Sequence, residues 1–204
     1  MRIVIVDYGM GNIKSLVSTL KYLGVEDVAL GSDYEILNSA DKIILPGVGS
    51  YGKAIVQIRQ KKIDKYLNKI VLENQRPLLG ICLGMQLLGK SSSEDGYNEG
   101  LGYVNGNVVK FDNGIVKVPH VGFNQVKLNN KLKLYYGFSN EPADFYFTHS
   151  YRMVSSEDIN QCFCNYQDDF IASFEYRNIA GAQFHPELSQ TNGLKLFKNF
   201  IDNF

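Results

Sequence analysis

One of the three cysteines in this 204-residue sequence lies between two glycines, in a pattern typical of a nucleophile. The segment Gly80-Ile81-Cys82-Leu83-Gly84 follows an apolar run typical of a strand and precedes a helical pattern, as the thiol counterpart of a G-x-S-x-G elbow. Glycine permits a sharp turn with close backbone approach, and the start of a helix favours the thiolate. The N–H of Leu83 would then stabilise an oxyanion. On this pattern alone, a buried structural cysteine remains the alternative.

A histidine and a glutamate two positions apart are the partners that such a thiol requires. His185 and Glu187 stand in Gln183-Phe184-His185-Pro186-Glu187, just after a predicted strand. In an extended segment, side chains two positions apart face the same side, so Glu187 can bind one imidazole nitrogen while the other faces Cys82. Such a carboxylate selects the tautomer and stabilises the imidazolium. His120 and His149 are the competing bases, but neither has an acidic residue two positions away. Taken alone, a loop histidine with one structural hydrogen bond is the alternative to this predicted triad.

A glycine-rich loop follows the third predicted strand. The sequence of this loop is Pro46-Gly47-Val48-Gly49-Ser50-Tyr51-Gly52. Open α/β sheets bind ligands outside the carboxyl ends of their strands, so this loop and the Cys82 elbow would border one crevice. It lacks the Lys-Ser/Thr ending of a phosphate-binding loop and the spacing of a dinucleotide fingerprint. The loop is therefore a candidate second donor to the oxyanion, with a plain turn as the alternative.

The elements that position these residues alternate between strand and helix in the first half of the chain. Helical apolar spacing predicts helices over Asn12–Leu23, Tyr34–Asn38, Lys53–Asn74 and Leu83–Leu88. Short β-branched runs predict strands over Arg2–Asp7, Asp27–Leu30, Lys42–Leu45 and Pro77–Ile81. Strands separated by helices indicate a parallel sheet that is covered on both faces.

From about Gly96 onward, shorter strands separated by Gly and Asn turns indicate antiparallel or mixed sheet. The predicted strands are Asn107–Phe111, Asn124–Leu128, Asp144–Tyr151, Gln161–Tyr166, Phe170–Tyr176 and Asn178–Phe184, followed by a helix over Asn192–Phe204. The polar stretch Ser91–Gly96 is predicted to be a surface loop. The expected fold is one α/β domain over residues 1–204, with a central, mostly parallel sheet and an additional antiparallel or mixed sheet.

Composition excludes several classes of function. Lys plus Arg and Asp plus Glu both number 21, whereas nucleic-acid binding usually requires a basic excess. No apolar run approaches the roughly 18 residues of a membrane span, and the N-terminus does not resemble a signal peptide, so a cytoplasmic location is expected. Cys162 and Cys164 are expected to be buried free thiols on one sheet face, because no second Cys/His cluster completes a metal site. Neither a metal nor another cofactor is expected.

Taken together, the motifs resemble the class I (triad) glutamine amidotransferase family. The elbow continues as Gly80-Ile81-Cys82-Leu83-Gly84-Met85-Gln86, and the second motif is Phe184-His185-Pro186-Glu187. The likeness spans nearly the whole chain and is strongest to the branch of imidazole glycerol phosphate synthase glutaminase subunits. The segments that carry it stand in that branch's order and spacing: Val6–Asn12, Pro46–Gly49, Pro119–Asn124, Tyr146–Tyr151 and Gln183–Glu187.

The resemblance implies a flavodoxin-like class I amidotransferase fold and hydrolysis of L-glutamine through a γ-glutamyl thioester on Cys82. His185 would act first as base and then as acid. The substrate and its oxyanion would be bound by a set of residues around the nucleophile, namely Gly47, Val48, Gly49, Gly52, Leu83, Gln86, His149, Ser150 and Tyr151. Gly49 and Leu83 would form the oxyanion hole.

The resemblance also implies a partner. Ammonia would pass to a cyclase subunit of the (β/α)8-barrel type (HisF-like) in a heterodimer, through an interface that includes Asn12, Pro119, Phe123 and Leu188. Low activity without the partner is expected, with the Val48–Gly49 peptide as the candidate switch. Phe123 stands where the branch usually has Trp, and Leu188 where it usually has Lys, which affects partner pairing more than glutamine chemistry.

Three alternative functions follow from the same residues. A related glutaminase could supply ammonia to a sugar amidotransferase in the synthesis of amidino sugars for bacterial surface polysaccharides. A non-catalytic binding subunit is disfavoured by the complete triad. A free-standing cysteine hydrolase acting on peptides is the third alternative.

Overall fold

A computed structural model of the chain, which describes residues 1–166 and 168–204, contains two β-sheets. The strands are β1 (Arg2–Val6), β2 (Asp27–Gly31), β3 (Lys42–Leu45), β4 (Leu78–Ile81), β5 (Ser91–Ser92), β6 (Asn98–Glu99), β7 (Asn107–Lys110), β8 (His120–Lys127), β9 (Ala143–His149), β10 (Tyr151–Val154), β11 (Gln161–Tyr166), β12 (Asp168–Tyr176) and β13 (Ile179–Ala182). The larger sheet has nine strands in the order β2-β1-β3-β4-β13-β12-β11-β8-β9, and the smaller has the order β10-β7-β5-β6.

Six α-helices accompany the sheets in the described part of the chain. They are α1 (Ile13–Tyr22), α2 (Tyr34–Asn38), α3 (Tyr51–Gln60), α4 (Ile63–Leu67), α5 (Leu83–Leu87) and α6 (Gln190–Asn203). Shorter helical turns of other types cover Asn68–Glu73, Lys133–Tyr135 and Pro186–Leu188. Among the described residues, no helix has the length and apolar character needed to cross a membrane.

The strands from β2 to β13 in the larger sheet are parallel, as predicted from the β-α alternation. Successive residues of a strand point to opposite faces, and β1 shows this directly. Ile5 belongs to the same hydrophobic cluster as Leu16 of α1 and Phe197 of α6, whereas Val4 belongs to a second cluster that includes Ile58 of α3. Helices therefore cover both faces, and the carboxyl ends of β3 and β4 meet at one edge, where the candidate site lies.

The remaining strands confirm the prediction of antiparallel or mixed sheet in the second half of the chain. β12, β11, β8 and β9 continue the larger sheet with antiparallel pairings, and the smaller sheet is mixed. The predicted strand Asp144–Tyr151 is wrong in one respect, because it is broken at Ser150 between β9 and β10. The Ser150 carbonyl accepts from Phe111 N, and the Tyr151 carbonyl accepts from the His149 ring, so the chain crosses from one sheet to the other there.

The long helix predicted over Lys53–Asn74 is also wrong. α3 ends at Gln60, Lys62 has a left-handed φ of 59°, and α4 is followed by a π-helix over Asn68–Glu73. Apolar periodicity did not reveal the break, because Ile58 and Ile63 stay fully buried on the two sides of it. They are five positions apart, and the additional residue is accommodated by the left-handed turn at Lys62.

Two further differences affect a strand boundary and a predicted loop. β8 begins at His120, four residues before the predicted strand, because its pairing with β9 extends back to His149. The Ser91–Gly96 segment is not entirely loop, since Ser91–Ser92 pairs in the smaller sheet. Cys162 and Cys164 are free, buried thiols on β11, as predicted.

Candidate active site

Cys82 occupies the sharp turn between the end of β4 and the start of α5. Its backbone has φ 53° and ψ −111°, a conformation that non-glycine residues rarely adopt. The flanking glycines are required by close packing. A Cβ at Gly84 would lie 1.9 Å from the carbonyl oxygen of Leu45, and one at Gly80 would lie 2.8 Å from the backbone of Met85. The sequence pattern therefore corresponds to a strained elbow that presents the thiol at the strand end.

This packing predicts that Gly84→Ala destabilises the fold. The new methyl group would overlap the Leu45 carbonyl, and overpacking against backbone costs about 3 kcal/mol or more where nothing can move. Urea unfolding of the variant is the measurement. Gly52→Ala is the matched control, because Gly52 lies within α3 and its Cβ would meet only the flexible Asn98 side chain at 3.3 Å. Unfolding midpoints that agree for Gly84→Ala and the wild type would contradict this account of the elbow.

His185 and Glu187 form a buried pair. His185 Nδ1 donates to Glu187 Oε1 at 2.9 Å, and the two side chains are 3% and 1% exposed. The expected contact is present, but the expected backbone geometry is wrong, because Pro186–Leu188 forms a 3-10 turn and not an extended segment. With Nδ1 bound to the carboxylate, Nε2 is the nitrogen left to exchange a proton with a substrate or a thiol.

The electrostatics of this pair favour the charged imidazole. Burial alone would lower the pKa of His185, but interaction with Cys82 and Glu187 raises it from 6.5 to about 10. Among the described residues, Nε2 has no partner in hydrogen-bonding geometry. The Cys82 sulfur is 3.7 Å from Gln183 Nε2 and 4.0 Å from the Thr148 carbonyl oxygen. Cys82 lies close enough to raise the pKa of His185, although Nε2 is not aligned for a direct hydrogen bond to the thiol.

A cavity of about 280 Å³ opens beside the Cys82 thiol. Its lining contains seven of the nine residues predicted to bind substrate or oxyanion: Val48, Gly49, Leu83, Gln86, His149, Ser150 and Tyr151. Gly47 does not line it but packs beneath it, since a Cβ there would lie 2.7 Å from Gly84 N. Gly52 faces a separate surface depression beside Met10 and Val56.

The glycine-rich loop lies directly against the elbow. The hydroxyl of Tyr8 donates to the Pro46 carbonyl at 2.7 Å, which fixes the start of the loop. Gly49 has a φ of +105°, so a side chain at this position would be strained. Leu83 is the first residue of α5, where backbone N–H groups have no partner within the helix. The loop and the helix start are therefore the two sources of backbone donors beside the thiol.

One wall of the cavity is held by a hydrogen-bond network. Gln86 Nε2 donates to the Tyr151 carbonyl and to Gln183 Oε1, each at 2.9 Å. His149 Nδ1 donates to the same Tyr151 carbonyl at 2.8 Å, and its Nε2 lies 3.0 Å from His120 Nδ1. Burial lowers the pKa of His149 to about 3 and that of His120 to about 4. Both rings are neutral at pH 7 and committed to structure, which leaves His185 as the base.

Two cavity residues were not predicted from the sequence, Glu94 and Thr148. Glu94 is the one carboxylate in the lining, and its Oε2 also accepts from Tyr51 N at 3.0 Å. Burial raises the pKa of its carboxyl group. It lies in the Ser91–Gly96 segment, whose composition resembles any polar surface loop, so no pattern distinguished it. The alternation of Thr148 with the buried His149 on β9 offered only a weak signal.

The residues predicted to face a partner occupy different environments. Phe123 and Leu188 are exposed by 49% and 41%, although both are apolar. Pro119 lies at the cavity. Asn12 precedes α1 and accepts a hydrogen bond from Ser15 through its side-chain oxygen at 3.0 Å. Large apolar side chains that remain exposed are typical of a surface that contacts another protein.

Comparison with known proteins gives consistent results. The family model described as glutamine amidotransferase class-I matches residues 4–204. Imidazole glycerol phosphate synthase subunit HisH of Aquifex aeolicus is 40% identical over 202 residues, which cover 98% of this chain and 96% of that protein. Subunit HisH 2 of Methanococcus maripaludis is 41% identical, with 98% of both chains covered. The structure of PurLQS from Thermotoga maritima matches with a TM-score of 0.76 at 24% identity, covering 98% of this chain and 97% of that chain.

Proposed function

Because this chain belongs to the class I glutamine amidotransferase family, we propose that it is the glutaminase subunit of an imidazole glycerol phosphate synthase. It hydrolyses L-glutamine to glutamate and ammonia and serves histidine biosynthesis. The observation that carries the proposal is the buried His185–Glu187 pair, 2.9 Å apart, next to a thiol that opens onto a cavity. We propose that residues 1–204 act as one glutaminase domain, because β13 from the end of the chain pairs with β4.

The proposed reaction starts with attack of the Cys82 sulfur on the side-chain amide carbon of glutamine. The negative charge that develops on the amide oxygen is bound by the N–H groups of Leu83 and Gly49. His185 Nε2, which has taken the proton of the thiol, donates it to the leaving nitrogen, so that ammonia departs and a γ-glutamyl thioester remains. A water molecule then loses a proton to the same nitrogen and attacks the thioester, which releases glutamate and frees the Cys82 sulfur beside the protonated imidazole. Glu187 keeps the imidazole oriented throughout and stabilises its charged form whenever it carries the proton.

The cavity suits glutamine, whose end opposite the reactive amide carries an α-ammonium group and an α-carboxylate group. We propose that Gln86 and the segment His149-Ser150-Tyr151 bind this end, with Val48 closing the cavity. Gly47 packs beneath the loop and Gly52 faces a separate depression, so neither contacts the substrate directly. Glu94 is the lining carboxylate, and we propose that it binds the α-ammonium group of the substrate.

Glu94→Gln is expected to raise the KM for glutamine about 10-fold or more while kcat changes much less. A charge-assisted hydrogen bond contributes about 1.5–3 kcal/mol, and the amide keeps the oxygen that accepts from Tyr51 N. Steady-state glutaminase kinetics measure both constants. Glu99→Gln, at an exposed glutamate outside the cavity, is the control. An unchanged KM would remove Glu94 from the binding site.

We further propose that ammonia passes directly to a cyclase partner of the (β/α)8-barrel type (HisF-like) in a cytoplasmic heterodimer. Ammonium cannot act as a nucleophile, so transfer across a shared interface protects the reactive form. Asn12, Pro119, Phe123 and Leu188 are the proposed contact residues. Without the partner, low activity is expected, with reorientation of the Val48–Gly49 peptide as the proposed switch.

The exposed Phe123 and Leu188 favour one second candidate, a glutaminase that supplies a sugar amidotransferase in the synthesis of amidino sugars. An aromatic ring and an aliphatic side chain replace the Trp and Lys expected for the histidine branch, and a lost cation alters which partner surface is complementary. Both candidates share the chemistry at Cys82.

The test is glutamate release from glutamine, measured for the chain alone, with a histidine-pathway cyclase and with a sugar-pathway partner. Stimulation by the histidine-pathway cyclase and growth of a complemented histidine auxotroph would support the first candidate. Stimulation by the sugar-pathway partner alone would establish the second. No glutamate release under any condition, with Cys82→Ser indistinguishable from the wild type, would refute the enzymatic function.

A further inference from the structure

The turn that contains His185 is attached to an edge of the larger sheet. β9 is the last strand of that sheet and pairs with β8 on one side. On its other side, the Tyr146 carbonyl accepts from His185 N at 2.9 Å. The chain cannot continue this pairing, because Pro186 lacks an N–H and begins a 3-10 turn. The His185 carbonyl accepts from Leu188 N at 3.0 Å within that turn. A second link between the backbone of His185 and β9 therefore requires a side chain.

The hydroxyl of Ser189 makes that contact. Its Oγ donates to the His185 carbonyl at 2.6 Å and accepts from Tyr146 N at 2.9 Å. The Tyr146 carbonyl is thus bonded directly to His185 N, and Tyr146 N is linked to the His185 carbonyl through the Ser189 hydroxyl. Ser189 is 1% exposed, so water cannot readily replace this link.

A structural role at the helix start does not account for this hydroxyl. Ser189 immediately precedes α6, where a serine side chain commonly accepts from the N–H groups of the first turn. Here its side chain makes no cap hydrogen bond, and it points back to His185. α6 itself packs tightly against the turn, since a Cβ at Gly193 would lie 1.8 Å from the Pro186 carbonyl oxygen.

From this arrangement we infer that Ser189 is a positioning residue for His185, whose hydroxyl holds the turn so that Nε2 faces Cys82. The inference rests on the proposed function for its kinetic consequence. Loss of the hydroxyl leaves Tyr146 N and the His185 carbonyl without their shared partner, and the imidazole gains freedom to move relative to the thiol. A displacement on the order of 1 Å is enough to slow a reaction about 100-fold.

The test compares Ser189→Ala, Ser189→Thr and Ser189→Val in the complex with the cyclase. Thr and Val have nearly the same shape and crowd the site equally, so the difference between them reports the hydroxyl alone. Ser189→Ala is expected to lower kcat about 10- to 100-fold with the KM for glutamine changed less than about 2-fold, and Ser189→Thr to be at least about 10-fold more active than Ser189→Val. Ser18→Ala, on the exposed side of α1, is the control.

The rate at which iodoacetamide alkylates Cys82 is measured on the same proteins, because it needs no glutamine. It is expected to fall in Ser189→Ala and Ser189→Val and to be retained in Ser189→Thr. If the wild type releases no glutamate, the proposed function fails, and the alkylation rates alone then decide the role of Ser189. Equal kcat values and equal alkylation rates for Ser189→Thr and Ser189→Val would overturn the inference. So would a Ser189→Ala variant that retains wild-type kcat.

Discussion

Cys82→Ala is expected to release glutamate at less than about 10⁻⁴ of the wild-type rate, with or without a partner, because removing a nucleophile eliminates the covalent route. The loss should occur without unfolding. The side chain is only 6% exposed, but alanine keeps the Cβ and the α5 backbone. Glutamate release and urea unfolding are measured on the same samples. Glutamate release near the wild-type rate would exclude Cys82 as the nucleophile.

The two other thiols supply the control for this prediction. Cys162 and Cys164 lie on β11 and are buried. Cys164→Ala should lose some stability through the cavity that it creates but should retain glutaminase activity.

Cys82→Gly should be more stable than Cys82→Ala by about 1 kcal/mol, since the positive φ at this position is unstrained only for glycine.

Glu187→Gln is expected to lower kcat by about 10³- to 10⁴-fold, the scale seen when the carboxylate of a triad becomes an amide. The amide keeps the shape of the side chain but removes a charge that, together with Cys82, raises the pKa of His185 to about 10. Burial disfavours the charged imidazole, and in the variant no carboxylate at position 187 offsets this effect. The pKa of His185 should therefore fall. NMR titration of His185 in the wild type and the variant measures this change directly.

The same titration has a consequence for stability. Because the pKa of His185 in the folded chain lies above 6.5, its imidazolium stabilises the fold fully below about pH 6.5, and this contribution is lost as the pH rises through about 10. In Glu187→Gln, the contribution of His185 to the pH dependence of the unfolding free energy should be smaller. Glu26→Gln, at an exposed glutamate, is the control. A His185 pKa unchanged in Glu187→Gln would show that the carboxylate does not set the charge of the base.

Much of the fold was predictable, because burial leaves a direct trace in the order of residue types. Strands that are covered on both faces are almost entirely apolar, as in Arg2–Val6 and Lys42–Leu45, and their alternation with helices determines a parallel sheet. The break in the predicted long helix left no such trace. Lys62 adopts the left-handed region although it is neither Gly nor Asn, and the apolar spacing continues past it.

In the candidate site, too, the residues that could be predicted are those whose role depends on neighbours in the sequence. The elbow was predictable, because the requirement for Gly80 and Gly84 arises within a few residues of Cys82. Glu94 was not, because its place in the cavity depends on how its loop meets the start of α3. The role of Ser189 was equally hidden, since its partner Tyr146 lies 43 positions away in the chain. Contacts of this range are set by tertiary packing, which single-sequence patterns do not record.

The location of the His185 turn on the open side of β9 also affects how copies of the chain behave toward one another. An uncovered edge strand offers N–H and C=O groups to which a strand of a neighbouring molecule can add, and this is a common start of aggregation. Along β9, the groups of Tyr146 are occupied by His185 and Ser189, and the Asp144 carbonyl accepts from Asn192 Nδ2 at 3.1 Å. The segment that carries the base thus occupies hydrogen-bonding groups of β9 that a strand of a neighbouring molecule would need.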